Sequence, residues 1–89
     1  MQQMMKQAQE MQKQMEKTKA ELAETSIEAT AGGGMVTVEM SGAFELINIK
    51  IKPEAVDPDD VEMLEDLIIA ATNEAITQVH ALRAQRLPM

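Results

Sequence analysis

The chain has 89 residues, of which 45% are hydrophobic and only one, Phe44, is aromatic. A chain this short buries only about two-thirds of its unfolded surface, and the absence of cysteine excludes disulfides, so oligomerisation is the remaining way to stabilise it. The formal net charge of −7 argues against a polyanion-binding protein unless the few cations share one surface.

The acidity is concentrated in one segment. Residues 1–24 carry four lysines and four glutamates, whereas Lys and Arg are absent between Pro53 and Leu82 and acidic side chains are frequent there. The first segment is therefore neutral, and the acidity belongs mainly to the segment after Pro53.

Residues 1–24 are predicted to form a long helix, regular from residue 2 onward. Apolar or small side chains recur at alternating three- and four-residue intervals, which is the spacing of a heptad seam. The seam consists of Met1, Met4, Ala8, Met11, Met15, Thr18 and Leu22. Lys6, Lys13 and Lys17 share a narrow arc nearly opposite to this seam, because successive residues of a helix are rotated by about 100°.

Residues 26–52 are predicted to form a three-stranded antiparallel sheet, because apolar and polar side chains alternate in three short runs. The apolar positions are Ile27, Ala29, Ala31, Val36, Val38, Met40, Ile47, Ile49 and Ile51. The run Gly32-Gly33-Gly34 favours a hairpin turn with positive φ angles, and Ser41-Gly42 marks a second turn. The sheet is therefore predicted to be a meander.

Residues 57–84 are predicted to form a second long helix. Asp57 is the predicted N-cap and Pro58 the predicted first helical residue, and two further aspartates favour the positive end of the helix dipole. A wide apolar stripe follows at helical spacing, which indicates packing against more than one neighbour. The stripe contains Val61, Met63, Leu64, Leu67, Ile68, Ala70, Ala71, Ala75, Ile76, Val79 and Leu82.

These elements define one α+β domain over residues 1–89 with the order α-β-β-β-α, ending in a short tail at 85–89 that includes Pro88. The helices would be ~35 and ~40 Å long at about 1.5 Å per residue, whereas the strands would reach only ~20–23 Å. Both helices are therefore predicted to overhang the sheet, and a meander leaves two open edges. A two-fold homodimer could join the sheet edges and pair the overhanging helices. The alternative is a monomer in which both helices lie fully on the sheet.

Four segments carry a family resemblance across essentially the whole chain. They are MMKQAQEMQKQM, the triple-glycine turn, VTVEMSGAFELINIKI and VEMLEDLIIAATNEA. In this order and spacing they resemble the YbaB/EbfC family of small bacterial nucleoid-associated proteins, and the most specific piece is EMLEDLIIAATNEA at residues 62–75. The resemblance implies an α-β-β-β-α fold and a tweezer-like homodimer with helical arms projecting from a β core.

The resemblance also implies a function. It predicts non-enzymatic binding of double-stranded DNA by the homodimer, for chromosome organisation or gene regulation in the nucleoid, without a cofactor or a small-molecule substrate. The cytoplasm is the expected location, because the first residues lack the basic and apolar regions of a signal peptide. No membrane partner is expected, since no apolar run approaches the ~20 residues of a membrane span.

Six cations are the predicted DNA-binding residues, because phosphate contacts need Lys or Arg. They are Lys6, Lys13, Lys17, Lys19, Arg83 and Arg86. Weak sequence preference is expected, since no helix-turn-helix or zinc-finger spacing occurs and a single aromatic residue cannot form an extensive base-stacking platform. The competing interpretation is that the helix lysines form solvated pairs, Lys6 with Glu10 and Lys17 with Glu21.

Other suggestive features are interpreted structurally. The three glycines lack the Gly-Lys-Ser/Thr of a phosphate loop, and the acids of residues 57–62 lack the glycine and spacing of a calcium loop. His80 is the only histidine, with no nucleophile–base pattern nearby, so neither metal binding nor catalysis is expected. Lys50 and Lys52 are interpreted as charges that protect the sheet edge.

Two other functions fit the same pattern. Two long amphipathic helices around a β hairpin also resemble prefoldin, and methionine surfaces adapt to varied partners. A chaperone-like or scaffold protein-binding dimer without DNA affinity is therefore the alternative. A third possibility is a structural dimer whose acidic second helix docks a basic partner. Salt-dependent gel shifts separate these hypotheses, because phosphate contacts weaken steeply with salt.

Overall fold

A computed structural model describes residues 1–87 as two helices and a sheet in the predicted α-β-β-β-α order. The elements are α1 (Gln2–Glu24), β1 (Ser26–Ala31), β2 (Val36–Ser41), β3 (Leu46–Ile51) and α2 (Val61–Arg86), with a short 3-10 helix at Pro53–Ala55. The strands pair antiparallel in the order β1-β2-β3, so the predicted meander is confirmed. Within residues 1–87, neither long helix has the length and apolar character needed to cross a membrane.

Both turns of the meander lie where the sequence predicts them. Gly32, Gly33 and Gly34 adopt φ angles of +64°, +66° and +92°, a region that glycine enters without steric cost. In the second turn, the Ser41 hydroxyl oxygen accepts hydrogen bonds from the backbone N–H of Ala43 at 3.1 Å and of Glu45 at 3.2 Å. These contacts set the register in which β3 returns along β2.

The start of α2 differs from the sequence prediction. Asp57 does not cap the helix: its carboxylate accepts from the Asp59 N–H at 2.9 Å and its carbonyl from the Asp60 N–H at 3.0 Å, which closes a separate turn. Asp60 is the N-cap, accepting from Met63 N–H at 3.2 Å. The prediction was wrong here because Pro suits the first position of a turn as well as that of a helix.

The end of α2 also differs from the predicted boundary. The helix continues through Arg86, so residues 85 and 86 are helical rather than part of a tail. Leu87 follows as the C-cap, and its N–H donates to the Arg83 carbonyl at 2.9 Å. The predicted tail position Pro88 lies outside the described residues.

The core lies between α2 and the first two strands. The helix contributes small side chains, which lets it approach the sheet closely. The buried cluster is Ala29, Val36, Val38, Met40, Ala71, Ala75 and Val79. Its β2 members alternate along the strand, and on β1 Ala29 lies between the partly buried Ile27 and Ala31, so the opposite face of the sheet carries the polar residues of the same strands.

The third strand is left uncovered on its apolar face. Ile49 pairs with Val38, and Ile51 pairs with Val36, so these isoleucines lie on the same face as the core. Helix α2 packs on β1 and β2, and Ile47, Ile49 and Ile51 are 55%, 38% and 38% exposed. One chain alone therefore leaves a strip of its sheet core open to solvent.

Helix α1 projects from this body instead of lying on the sheet. Leu22, near its last turn, is the residue of α1 that is buried. The seam methionines Met1, Met4 and Met11 are 99%, 74% and 61% exposed, and the molecule measures 68 × 18 × 16 Å. The expected overhang is therefore present for α1, and the alternative in which both helices lie fully on the sheet is wrong.

Candidate nucleic-acid interface

Three of the four α1 lysines lie on one exposed side of the projecting helix. Lys6, Lys13 and Lys17 fall within about 40° of one another around the helix axis, opposite the side that buries Leu22, whereas Lys19 lies roughly 140° away from their centre. The eleven residue steps from Lys6 to Lys17 rise about 16 Å along the axis. That length matches about five base pairs of duplex, at ~3.4 Å per step.

The lysine side of α1 is not purely cationic. Glu10 lies between Lys6 and Lys13 on nearly the same arc, and Glu21 and Glu24 follow Lys17 toward the end of the helix. All these side chains are exposed. The lysines of this side are therefore solvated, and a phosphate would compete with the neighbouring carboxylates for contact with their ammonium groups.

Arg83, one of the predicted phosphate ligands, has a partner within the chain. Its Nη1 donates to the Gly42 carbonyl at 2.8 Å. Its guanidinium carbon lies 5.4 Å from the centre of the Phe44 ring, which in turn lies 4.7 Å from the His80 ring at 55°. Arg83 therefore fastens the end of α2 to the turn between β2 and β3.

The same turn also holds the end of α1. Gly42 is buried, and its N–H donates to the Thr25 carbonyl at 2.8 Å. A Cβ built on Gly42 would lie 2.3 Å from the Leu22 carbonyl oxygen, so the two backbones are in direct contact. The last turns of both helices thus meet at one end of the sheet, which is called here the helix junction (Leu22, Thr25, Gly42, Phe44 and Arg83).

The helix junction places Lys19 of α1 and the arginines of α2 toward one end of the sheet, whereas Lys6 lies about 24 Å along the projecting helix from Leu22. Lys19 lies three residues, or about 4.5 Å along the axis, before Leu22. Arg86 lies three residues beyond Arg83 and is exposed. Sequence reasoning missed this grouping, because the only local signal was the Ser41-Gly42 turn followed by a lone aromatic residue.

Arg83→Lys is expected to lower the free energy of unfolding by about 1–2 kcal/mol, because lysine retains the charge but loses the planar fork that both bonds Gly42 and stacks on Phe44. Urea denaturation measures the effect. Arg86→Lys is the matched control and should change stability by less than about 0.5 kcal/mol. Equal effects of the two changes would show that the Arg83 contact is dispensable.

A second group of cations lies at the other end of the sheet. An open cleft of about 420 Å³ is lined by Gly34, Thr37, Lys50, Ile51, Lys52 and Pro53. Among residues 1–87, no group of three or more His, Cys, Asp or Glu side chains is arranged to hold a metal ion. The cationic features that the described part of the chain offers a ligand are thus the α1 lysines, the arginines near the helix junction and this cleft.

Comparisons with known proteins agree with this architecture. The model of the YbaB/EbfC DNA-binding family matches residues 1–88. A nucleoid-associated protein of Alkaliphilus metalliredigens is 66% identical over 73 residues, which cover 82% of this chain and 64% of that protein. One of Chloroflexus aurantiacus is 52% identical over 85 residues, which cover 96% of this chain and 85% of that protein.

A solved structure supports the fold. The crystal structure of uncharacterized protein HP0035 from Helicobacter pylori superposes with a TM-score of 0.84, covering 96% of this chain and 89% of that one at 24% sequence identity. Since the family model spans both helices and all three strands, the chain belongs to the YbaB/EbfC DNA-binding family.

Proposed function

We propose that this chain binds double-stranded DNA as a homodimer with low sequence preference, in the nucleoid, for chromosome organisation or gene regulation. The observation that carries the proposal is the projecting α1 helix, which has Lys6, Lys13 and Lys17 on one exposed side and a bare methionine seam on the other. The family match and the names of the relatives support DNA as the partner. The proposed role is binding, without catalysis, cofactor or small-molecule substrate.

Two uncovered apolar surfaces support the homodimer. One is the methionine seam of α1, and the other is the β3 strip formed by Ile47, Ile49 and Ile51. Exposed apolar area of this extent marks an interaction surface, and burial stabilises a complex by about 25 cal/mol per Å² removed from water before the costs of association. A second copy would supply matching surfaces to both, because a two-fold interface pairs identical patches.

The lysine side of α1, formed by Lys6, Lys13 and Lys17, explains why sequence preference should be low. Lysine is a point charge suited to phosphate, and contacts to phosphate carry no sequence information directly. Pairing the seams of two α1 helices would leave their lysine sides facing outward on opposite sides of one two-helix arm. A duplex that contacts either side would be recognised through its backbone.

Gel shifts of purified protein on duplexes of unrelated sequence, run over a salt series, test the proposal. Retention that falls steeply with salt and varies little with sequence is the expected result. No retention at low salt, together with suppression of a client protein's aggregation, would replace DNA binding by the chaperone-like function. Light scattering on the same samples tests the dimer, and a mass near one chain at micromolar concentration would contradict it.

The triple change Lys6→Gln, Lys13→Gln and Lys17→Gln is expected to preserve the dimer and to make the salt dependence of DNA binding shallower by about one unit of log–log slope for each lost phosphate contact. Fluorescence anisotropy over a salt series measures the slope.

The control for this triple variant carries the same net charge. It adds three negative charges to exposed positions of α2 through Asn73→Asp, Thr77→Glu and Ala81→Glu. It should retain the wild-type slope if local contacts, and not total charge, hold the duplex. If the triple lysine variant binds DNA with unchanged affinity and salt slope, the lysine side of α1 does not contact the duplex.

A further inference from the structure

The cleft at the far end of the sheet gathers two of the chain's eight cations. Lys50 and Thr37 are cross-strand partners on the face of the sheet opposite α2. Lys52 follows two residues later and lies on the same face, so the two lysine Cα atoms are about 6.6–6.8 Å apart along the strand. Charges that only protect a sheet edge need not lie beside a hydroxyl group and a glycine turn, as these two lysines do.

The backbone holds the cleft in shape. The Lys52 N–H donates to the Met35 carbonyl at 2.9 Å, which ties the end of β3 to the glycine turn. The Lys52 ammonium lies 4.0 Å from the position that a Cβ on Gly34 would occupy. Because Gly34 has no side chain, the space beside this ammonium stays open to a ligand.

The chemistry of the lining selects an anion. Two ammonium groups and the Thr37 hydroxyl are present, and none of the lining residues is acidic. Glu28 and Glu39 are cross-strand partners on this sheet face, with Glu39 two residues along β2 from Thr37 toward the helix junction. The Glu39 carboxylate accepts from the Ser26 hydroxyl at 2.8 Å. This face is therefore cationic at the cleft and becomes acidic toward the helix junction.

We propose that this cleft binds a phosphate group of the DNA backbone, as a contact point additional to the α1 lysines. The inference rests on the proposed function and deepens it. Six strand residues, or about 20 Å, separate the cleft from the helix junction, so each protomer offers phosphate contacts at both ends of its sheet. The duplex footprint accordingly extends beyond the arms.

The double change Lys50→Gln and Lys52→Gln tests the proposal in anisotropy titrations of a duplex over a salt series. We expect the log–log salt slope to become shallower by about one unit for each engaged cleft, because each cleft contacts one phosphate, and the affinity near 0.1 M salt to fall roughly tenfold. The control of equal net charge, Asn73→Asp with Ala81→Glu, should bind as the unchanged protein does. Light scattering verifies that both variants keep the assembly state.

The outcomes separate the cleft from the proposed function. Failure of the unchanged protein to bind the duplex would overturn the proposed function and the cleft contact with it. Normal duplex binding by the variant with Lys50→Gln and Lys52→Gln would overturn the cleft contact alone. NMR distinguishes the source of phosphate: the duplex should shift the Gly34 and Thr37 amide signals, whereas saturation by inorganic phosphate without a response to duplex would assign the cleft to a free anion.

Discussion

Gly42→Ala is expected to lower the free energy of unfolding by about 3 kcal/mol or more, because overpacking against an immovable neighbour is at the costly end of such changes. The added Cβ would lie 2.3 Å from the Leu22 carbonyl oxygen and 2.9 Å from its carbonyl carbon. Both are backbone atoms, so no side-chain rotation relieves the clash. The helix junction must open, and urea denaturation with thermal melting measures the loss.

Gly33→Ala is the matched control for this change. A Cβ on Gly33 meets nothing within 4 Å, but the residue has a φ of +66°, a conformation that costs an L-residue about 1–2 kcal/mol. Gly42 is thus tested for contact and Gly33 for backbone conformation. A loss at Gly42 no larger than that at Gly33 would contradict the close approach of α1 to the turn.

Ile49→Asp is expected to raise the dimer dissociation constant by roughly 100-fold or more, because an unpaired carboxylate would be buried against the partner. Ile49 is 38% exposed in the single chain, whereas its cross-strand partner Val38 is fully buried. The change therefore reports on the proposed contact between copies more than on the core. Sedimentation velocity over a concentration series measures the dissociation constant.

The neighbouring residue supplies the control. Asn48→Asp adds the same charge to the same strand on the opposite face of the sheet. It should leave the dissociation constant within a few-fold of the unchanged protein. If both variants remain dimeric at low concentration, the β3 strip is not the interface, and if both dissociate, added charge alone is responsible.

The fold was predictable because local patterns and the global architecture agree. The period-two alternation of Val36 and Val38, the glycine run with positive φ angles, and the heptad seam ending at Leu22 each specify one element. Their short connections then leave few arrangements of three consecutive strands. The family resemblance covered the same elements.

The features that could not be predicted depend on tertiary contact or on competing local choices. Three aspartates precede α2 and each is a competent cap, so the choice of Asp60 over Asp57 is decided by the turn before it. Arg83 bonds Gly42 across 41 residues of sequence, which no spacing rule reveals. Likewise, alternation marks an apolar face on β3, but it does not tell that α2 covers only β1 and β2.

The cleft shows the same limit. Lys50 and Lys52 have the ordinary pattern of a solvated strand edge, and Thr37 and Gly34 are distant in the sequence. Only the antiparallel register brings these four residues together. The charge pattern indicated the lysine side of α1 because its residues are close in the sequence. It did not indicate the cleft, because the residues that line the cleft are distant in the sequence.

The composition of α1 has a consequence for how the arm becomes ordered. Its first turn has no acidic residue and its last turn has no basic one, so these turns lack the charges that stabilise a helix dipole. Most of the stability of a helix in a protein comes from packing of its apolar face, and within one chain most of the α1 seam is unpacked. If a second copy covers the seam, folding of α1 is coupled to dimerisation. The fraction of chains in the proposed DNA-binding form then rises with protein concentration.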